Sequence, residues 1–269
     1  MATCGRRVAC QVVPGGVGVR SSIPSVSVPT ILLLLATGLV AGFINTVAGG
    51  GSVVSLPVLV EVVGASVANG TNRVAILMQN IVGAASFHRG GKVPWRFVGA
   101  LLAPIITGAA AGAWVATLVP AEVMKRIFGL VIILVALSVL VRPSRWMREG
   151  EPKLREPWRS LAFFGIGLYG GFVQAGVGFL LLAALVLGGG LGLVRGNAAK
   201  VVTVLVYTPV TLFLFARASQ VDLGVGLILG VGNMGGALVA SRLAIKKGAG
   251  WIRWVLVVAA VAAATRMLF

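Results

Sequence analysis

Long charge-free apolar runs and short basic connectors alternate along this chain. Pro29 to Val60 runs for 32 residues without a charged side chain, and Ser160 to Val194 for 35. A membrane-crossing helix needs roughly 20 apolar residues, within a range of about 17–25. Each run is thus too long for one span and short for two full ones. Glycine-rich sequence interrupts both: Ala48-Gly49-Gly50-Gly51 in the first and Ala175-Gly176-Val177-Gly178 in the second. The pattern predicts two short helices in each run, meeting at a break inside the membrane. Further apolar segments follow at about 70–88, 97–118, 123–141, 197–216, 223–241 and 251–268. The expected fold is an all-α polytopic membrane protein of about ten transmembrane segments; counting each broken run as one span gives eight. The expected division is a disordered leader over 1–28, a first transmembrane repeat over 29–141, a cytoplasmic linker over 142–158 and a second repeat over 159–269.

Composition narrows the class. Hydrophobic residues make up 58% of the chain and charged residues 11%, with a mean hydropathy of +1.02. A soluble domain carries about a quarter charged residues, so soluble, disordered and disulfide-rich secreted classes are excluded. The formal net charge is +17, from 23 Lys+Arg against 6 Asp+Glu. On a soluble chain that excess points to nucleic acid. Here the basic residues sit in connectors, as topology-setting charge does, and no run interleaves them with aromatic residues. The expected surroundings are a lipid bilayer, the cell (inner) membrane, and no nucleic acid. Three connectors are strongly basic: Arg89, Lys92 and Arg96; Arg142, Arg145, Arg148, Lys153, Arg155 and Arg159; Arg242, Lys246, Lys247 and Arg253. Ten crossings put all three on the cytoplasmic side and both termini outside, whereas eight would separate the last from the others. Arg6, Arg7 and Arg20 of the leader count against that placement. Pro14, Gly15 and Gly16 break the leader's apolar character, so no cleaved signal peptide is expected. Cys4 and Cys10 both lie in that leader and His88 is the single histidine, so neither a metal site nor a cofactor is expected.

The two halves repeat. An offset of 127 pairs Gly38 with Gly165, Ala48 with Ala175, Gly49 with Gly176, Gly51 with Gly178, Arg73 with Lys200 and Val74 with Val201. Five spans per half turn the second half over relative to the first. Two inverted five-helix repeats, with broken helices at the first helix pair of each, are a construction of secondary transporters whose substrate sits near the midplane.

The chemistry available at such breaks favours anions. A helix that starts inside the membrane presents free N–H groups and a partial positive charge. Asn45, Thr46 and Ser52 flank the first break and Gln174 the second. Arg73 follows Asn69-Gly70-Thr71-Asn72, and Lys200 follows Gly196-Asn197, each a few residues into an apolar segment. Basic groups at membrane depth cost about 2.5–3.5 kcal/mol on insertion scales, and their symmetric placement predicts an electropositive cavity; snorkelling to the headgroups is the competing reading. Gln79-Asn80 and Asn233 suit either a cavity wall or helix-to-helix hydrogen bonds. Glu61 and Asp222, the acids nearest the apolar runs, read as interfacial. No carboxylate lies deep in a span, so the usual proton or Na⁺ relay is missing, and uncoupled anion movement is the simplest mechanism. A potential negative inside supplies roughly 2.3 kcal/mol per charge per 100 mV and drives anions outward. No His/Asp/Ser set or paired carboxylates lie in the bilayer, so an enzyme is not expected.

The run Gly42–Gly51 (GFINTVAGGG), then Pro57 and Asn69-Gly70-Thr71-Asn72, resembles the first repeat of the sulfite exporter TauE/SafE family. The run Gly167–Leu180 (GLYGGFVQAGVGFL), then Gly196-Asn197-Ala198-Ala199-Lys200, resembles the second. The resemblance covers nearly the whole chain beyond the leader. It implies a membrane permease for small sulfur-containing anions such as sulfite, sulfoacetate or other organosulfonates. It carries Asn45, Gly49, Gly50, Gly51, Asn72, Gln174, Gly176, Gly178, Asn197 and Lys200 over as cavity-lining candidates; Arg73 and the leader have no counterpart in the family pattern. With Ser52 and Arg73 added from the chemistry above, these form the expected substrate site of an alternating-access exporter. An anion channel of the same architecture, or a permease for a different small anion, is the alternative, and a homodimer is left open.

Overall fold

In the computed structural model of the protein, residues 27–139 and 155–268 are described. The expectations for the leader up to residue 26, with Cys4 and Cys10, and for linker residues 142–154 lie outside them. The described residues are helical almost throughout: α1 (Val28–Val47), α2 (Ser52–Val63), α3 (Ala65–Arg89), α4 (Trp95–Leu118), α5 (Ala121–Val139), α6 (Trp158–Phe172), α7 (Val177–Ala183), α8 (Leu193–Arg217) and α9 (Leu223–Leu268). A π-helical turn, Ala184–Gly188, extends α7.

Both long apolar runs are broken where the glycines stand. Gly49 takes φ 93° between α1 and α2, while Gln174 (φ 65°) and Gly176 (φ 72°) turn the chain between α6 and α7. The helices after the breaks, Ser52–Val63 and Val177–Gly188, are apolar and short. At ~1.5 Å per residue each reaches about 18 Å, well under the ~30 Å hydrocarbon thickness. Among the described residues, four helices are long and apolar enough to cross a bilayer: Val28–Val47, Trp95–Leu118, Leu193–Arg217 and Leu223–Gly248. α3 matches them in length but carries Asn69, Thr71, Asn72, Arg73, Gln79 and Asn80, all buried. The last two predicted segments differ from expectation only in their boundary. Two helices meet at a kink at Gly248 (φ 70°, ψ −161°), because the first runs on through Arg242, Lys246 and Lys247, and straight-chain basic residues are good helix formers.

The packing is exchanged between halves. α1 lies along α9, and α6 along α4, while α3 and α8 cross in the centre. Each peripheral pair closes over small residues, since lipid supplies no hydrophobic drive and helices must gain by close approach. Gly38 and Gly42 meet the backbone at Leu229 and Asn233, while Gly232 and Gly236 meet that at Leu35 and Leu39. Likewise Gly108 and Gly112 meet Phe164 and Leu168, and Gly167 and Gly171 meet Ile105 and Ala109. By these contacts Gly38 holds the place in its pair that Gly167 holds in the other, an offset of 129, whereas a Cβ added at Gly165 would meet nothing within 4 Å. The constant offset of 127 fails because α1 carries about one helical turn more than α6 between this face and its break. Large apolar side chains such as Leu32, Leu33, Trp114, Phe213 and Val231 are exposed, while the interior holds polar side chains such as Asn69, Asn72, Gln79 and Asn197 among its apolar ones, a distribution suited to lipid on the outside.

Asp222 departs from the interfacial reading. It is buried, its N–H donates to Thr71 Oγ1 at 2.9 Å, and its Oδ1 accepts from the Val225 N–H at 3.0 Å, capping the start of α9. His88 ends α3, its ring edge-on to Trp95 at 5.5 Å.

Candidate functional site

A helix leaves its last carbonyls without intrahelical partners and carries a partial negative charge at that end. In water this costs little; inside a membrane protein each unpaired group costs several kcal/mol. α1 and α6 both end in the interior. Their carbonyls are satisfied by the opposite half in each case.

At the end of α1, Asn197 Nδ2 donates to the Val47 carbonyl at 2.8 Å, and Lys200 Nζ donates to those of Asn45 (2.9 Å) and Thr46 (3.1 Å). At the end of α6, Asn69 Nδ2 donates to the Phe172 carbonyl at 2.8 Å, and Arg73 donates to those of Gly170 (3.4 Å) and Gly171. An amide takes the last carbonyl and a cation one turn further along the same helix takes the two before it. Asn69 and Arg73 come from α3, Asn197 and Lys200 from α8. Arg73 and Lys200 therefore do correspond, as paired caps of helix C-termini. Among the described residues neither lies within salt-bridge distance of a carboxylate; the ion pair present is Arg159–Glu156 at 2.7 Å.

Their surroundings differ. Arg73 is fully buried, also bonds Asn69 Oδ1, and has its guanidinium carbon 4.5 Å from the Phe215 ring centroid. Lys200 borders a small polar cavity between the breaks, with Asn45, Ser52, Asn80 and Gln174 as its polar walls and Ile76, Val177, Gly178 and Val204 as its apolar ones. The cavity measures about 10 Å³, room for a single water-sized group.

Gln174 marks this space most clearly. It is 2% exposed, and neither its Oε1 nor its Nε2 has a hydrogen-bond partner. It is also held at positive φ, a conformation that costs a non-glycine residue roughly 1–2 kcal/mol. Strain and an unmet amide coincide at the cavity wall, a combination that collects at ligand sites.

The twelve expected site residues divide. Asn45, Ser52, Gln174, Gly178 and Lys200 line the cavity. Asn72 lies behind it: its Oδ1 accepts from Ser55 and its Nδ2 donates to Ser52 Oγ at 3.2 Å, fixing Ser52 in place. Arg73 and Asn197 serve helix ends away from the lining. The break glycines fill packing roles. Gly49 and Gly178 stack backbone on backbone, so that a Cβ on either would collide with the other; Gly50 lies under the Phe179 ring and Gly51 against the Ala41 carbonyl. Gly176 supplies the left-handed cap of α7. Asn80 lines the cavity, while Gln79 accepts from Asn45 Nδ2 at 3.2 Å and Asn233 Nδ2 at 3.4 Å, tying α1, α3 and α9 together. The two readings left open for these amides are thus divided between neighbours, since Gln79 and Asn80 point about 100° apart on the helix.

The sequence that builds this arrangement matches a known family. The description "Sulfite exporter TauE/SafE" matches residues 34–267. The chain belongs to the sulfite exporter TauE/SafE family. Relatives of the chain carry names that agree in class. The chain is 28% identical to "Probable membrane transporter protein ORF9" of Sinorhizobium sp over 240 residues, 88% of this chain and 92% of that protein. It is 26% identical to "Probable membrane transporter protein YfcA" of Escherichia coli (strain K12), over 88% of this chain and 89% of that one. A "Probable membrane transporter protein" of Haemophilus influenzae is 24% identical over 91% and 96% of the two chains. No solved structure matches. As a TauE/SafE member with several apolar helices, the protein is a multi-pass membrane transporter.

Proposed function

We propose that this TauE/SafE protein is a secondary transporter that exports a small sulfur-containing anion, such as sulfite, sulfoacetate or a related organosulfonate, across the cytoplasmic membrane by alternating access. One observation carries the reading: a buried lysine without a carboxylate partner and an amide without any partner share one polar cavity between two helix breaks. A buried ammonium is stabilised by an anion, and an unmet buried amide by an acceptor; a sulfonate or sulfite oxygen supplies both. The reciprocal capping supports two inverted repeats, 29–141 and 159–269, with about ten spans. A cavity of one water's size supports a contracted state, from which the stacked Gly49 and Gly178 must separate to admit an oxyanion. That motion is the rocking of one repeat against the other.

The test is efflux from liposomes loaded with sulfite or sulfoacetate. Saturable efflux of at least one of the two is expected, reduced at least tenfold by Lys200→Gln with the protein still folded. Unsaturable conductance overturns alternating access in favour of a channel, and efflux of neither anion overturns the substrate assignment.

A further inference from the structure

Two buried cations stand near the midplane breaks, and a cavity reached by both would suit a doubly charged anion. The structure separates them. Both terminal nitrogens of Arg73 are committed to the α6 carbonyls of Gly170 and Gly171 and to Asn69, and Phe215 covers the face of the guanidinium. No part of it borders the cavity. Lys200 does border it, and an ammonium has three hydrogens to donate, of which the Asn45 and Thr46 carbonyls take two.

The remaining field is close to balanced. The C-terminal end of α1 and the N-terminal end of α2 meet at the first break, carrying about half a charge each and of opposite sign. α1, α2, α3, the break between α6 and α7, and α7 each border the cavity with neutral groups: Asn45, Ser52, Ile76 and Asn80, Gln174, and Val177 with Gly178. From α8, Val204 is apolar, which leaves Lys200 as the one charged group in the lining. A second negative charge brought here would be buried unpaired, at a cost of several kcal/mol.

The neutral donors suit a group with several oxygens. Ser52 Oγ already accepts from Asn72, so its own hydrogen is left to give, and the Gln174 amide offers two more. Resting on the transporter reading above and narrowing its range of substrates, the geometry points to a site that takes singly charged sulfur oxyanions, a monosulfonate or hydrogen sulfite, in preference to dianions, so that of the anions named there hydrogen sulfite is favoured over the sulfite dianion and over sulfoacetate.

Sulfite itself supplies the probe, because its second ionisation near neutral pH changes its charge at almost constant shape. Methanesulfonate keeps a single charge throughout and serves as the reference. Uptake of each is measured into liposomes containing the full chain, at equal pH on both sides, less the uptake of protein-free liposomes. The ratio of sulfite to methanesulfonate uptake is taken from one unit below that ionisation to one unit above it. Any titration of the protein affects both probes and cancels in the ratio. The ratio is expected to fall about tenfold, following the share of hydrogen sulfite. A ratio that stays level or rises overturns the single-charge assignment and leaves the transporter reading standing. Saturable uptake of neither probe, at any pH, overturns the transporter reading itself.

Discussion

At the end of α1 the capping cation is a lysine whose ammonium still borders the cavity; at the end of α6 it is an arginine enclosed by carbonyls, an amide and a phenyl ring. The backbone problem is the same at both places, yet the residues chosen suit different tasks. A guanidinium has five donors in a flat fork and stacks on an aromatic face, so it can be consumed wholly by structure. An ammonium is a compact charge with three donors, so it can cap two carbonyls and keep one hydrogen for something else. The comparison teaches that two membrane-buried cations capping like helix ends need not share surroundings: one is enclosed by the fold and the other still faces the cavity.

Arg73→Ala should break the comparison hardest. It strands the carbonyls of Gly170 and Gly171 and empties the space beside Phe215. Losing one side of a fully buried polar cluster typically costs about 3–5 kcal/mol, so thermal unfolding in detergent should show a large loss of stability or no folded protein. Arg73→Lys should recover part of it. If Arg73→Ala left stability intact while abolishing flux, the division of labour drawn here would be wrong.

Gly49→Ala comes next, at about 3 kcal/mol, combining left-handed strain with overpacking. Gly49 stands at φ 93° with its α-carbon against Gly178, so a methyl group must push the breaks apart. Loss of thermal stability is the measurement, and the same experiment on Gly178→Ala should give a comparable loss, because the contact is mutual.

How far the sequence reached is clearest at these residues. Charge-free run length and glycine position located both breaks and the short helices after them, because hydrophobic length is a direct constraint of the bilayer. The offset of 127 also paired Arg73 with Lys200, two residues that both cap the C-terminus of a broken helix. It mispaired Gly38 with Gly165, because one extra turn in α1 shifts the register where the peripheral helices touch. The roles of the two cations were not legible. Whether a basic side chain faces a cavity or a helix end depends on which carbonyls the other half brings within reach, about a hundred residues away in the chain. Asn69 and Asn197, one turn before each cation, were the available signal: an amide at that spacing is suited to cap the same helix end. The cavity role of Asn80, as against Gln79, rests on about 100° of helical phase, finer than apolar patterning can fix.

Lys200→Gln sharpens the comparison from the other side. A glutamine amide still donates to the carbonyls of Asn45 or Thr46, so the loss of stability should be about 1–2 kcal/mol, visibly less than for Arg73→Ala. Flux of the anion should nevertheless fall at least tenfold. The informative quantity is the pair of ratios, stability against flux, for the two cations measured side by side.

The smallest effect expected belongs to Gly91, in the exposed basic turn between α3 and α4. Its φ is 62°, as left-handed as those at the breaks, yet an added Cβ there meets nothing within 4 Å. Gly91→Ala should thus show conformational strain alone, about 1 kcal/mol, and Gly91→Asn less, since asparagine tolerates that region through local hydrogen bonding of its side chain. Set against Gly49→Ala, the pair separates two reasons for a glycine: at position 91 the backbone angle, and at position 49 the angle together with the approach of a second chain segment. Should both substitutions cost the same, the stacking of Gly49 on Gly178 would contribute nothing to stability, and the breaks would be held by their caps alone.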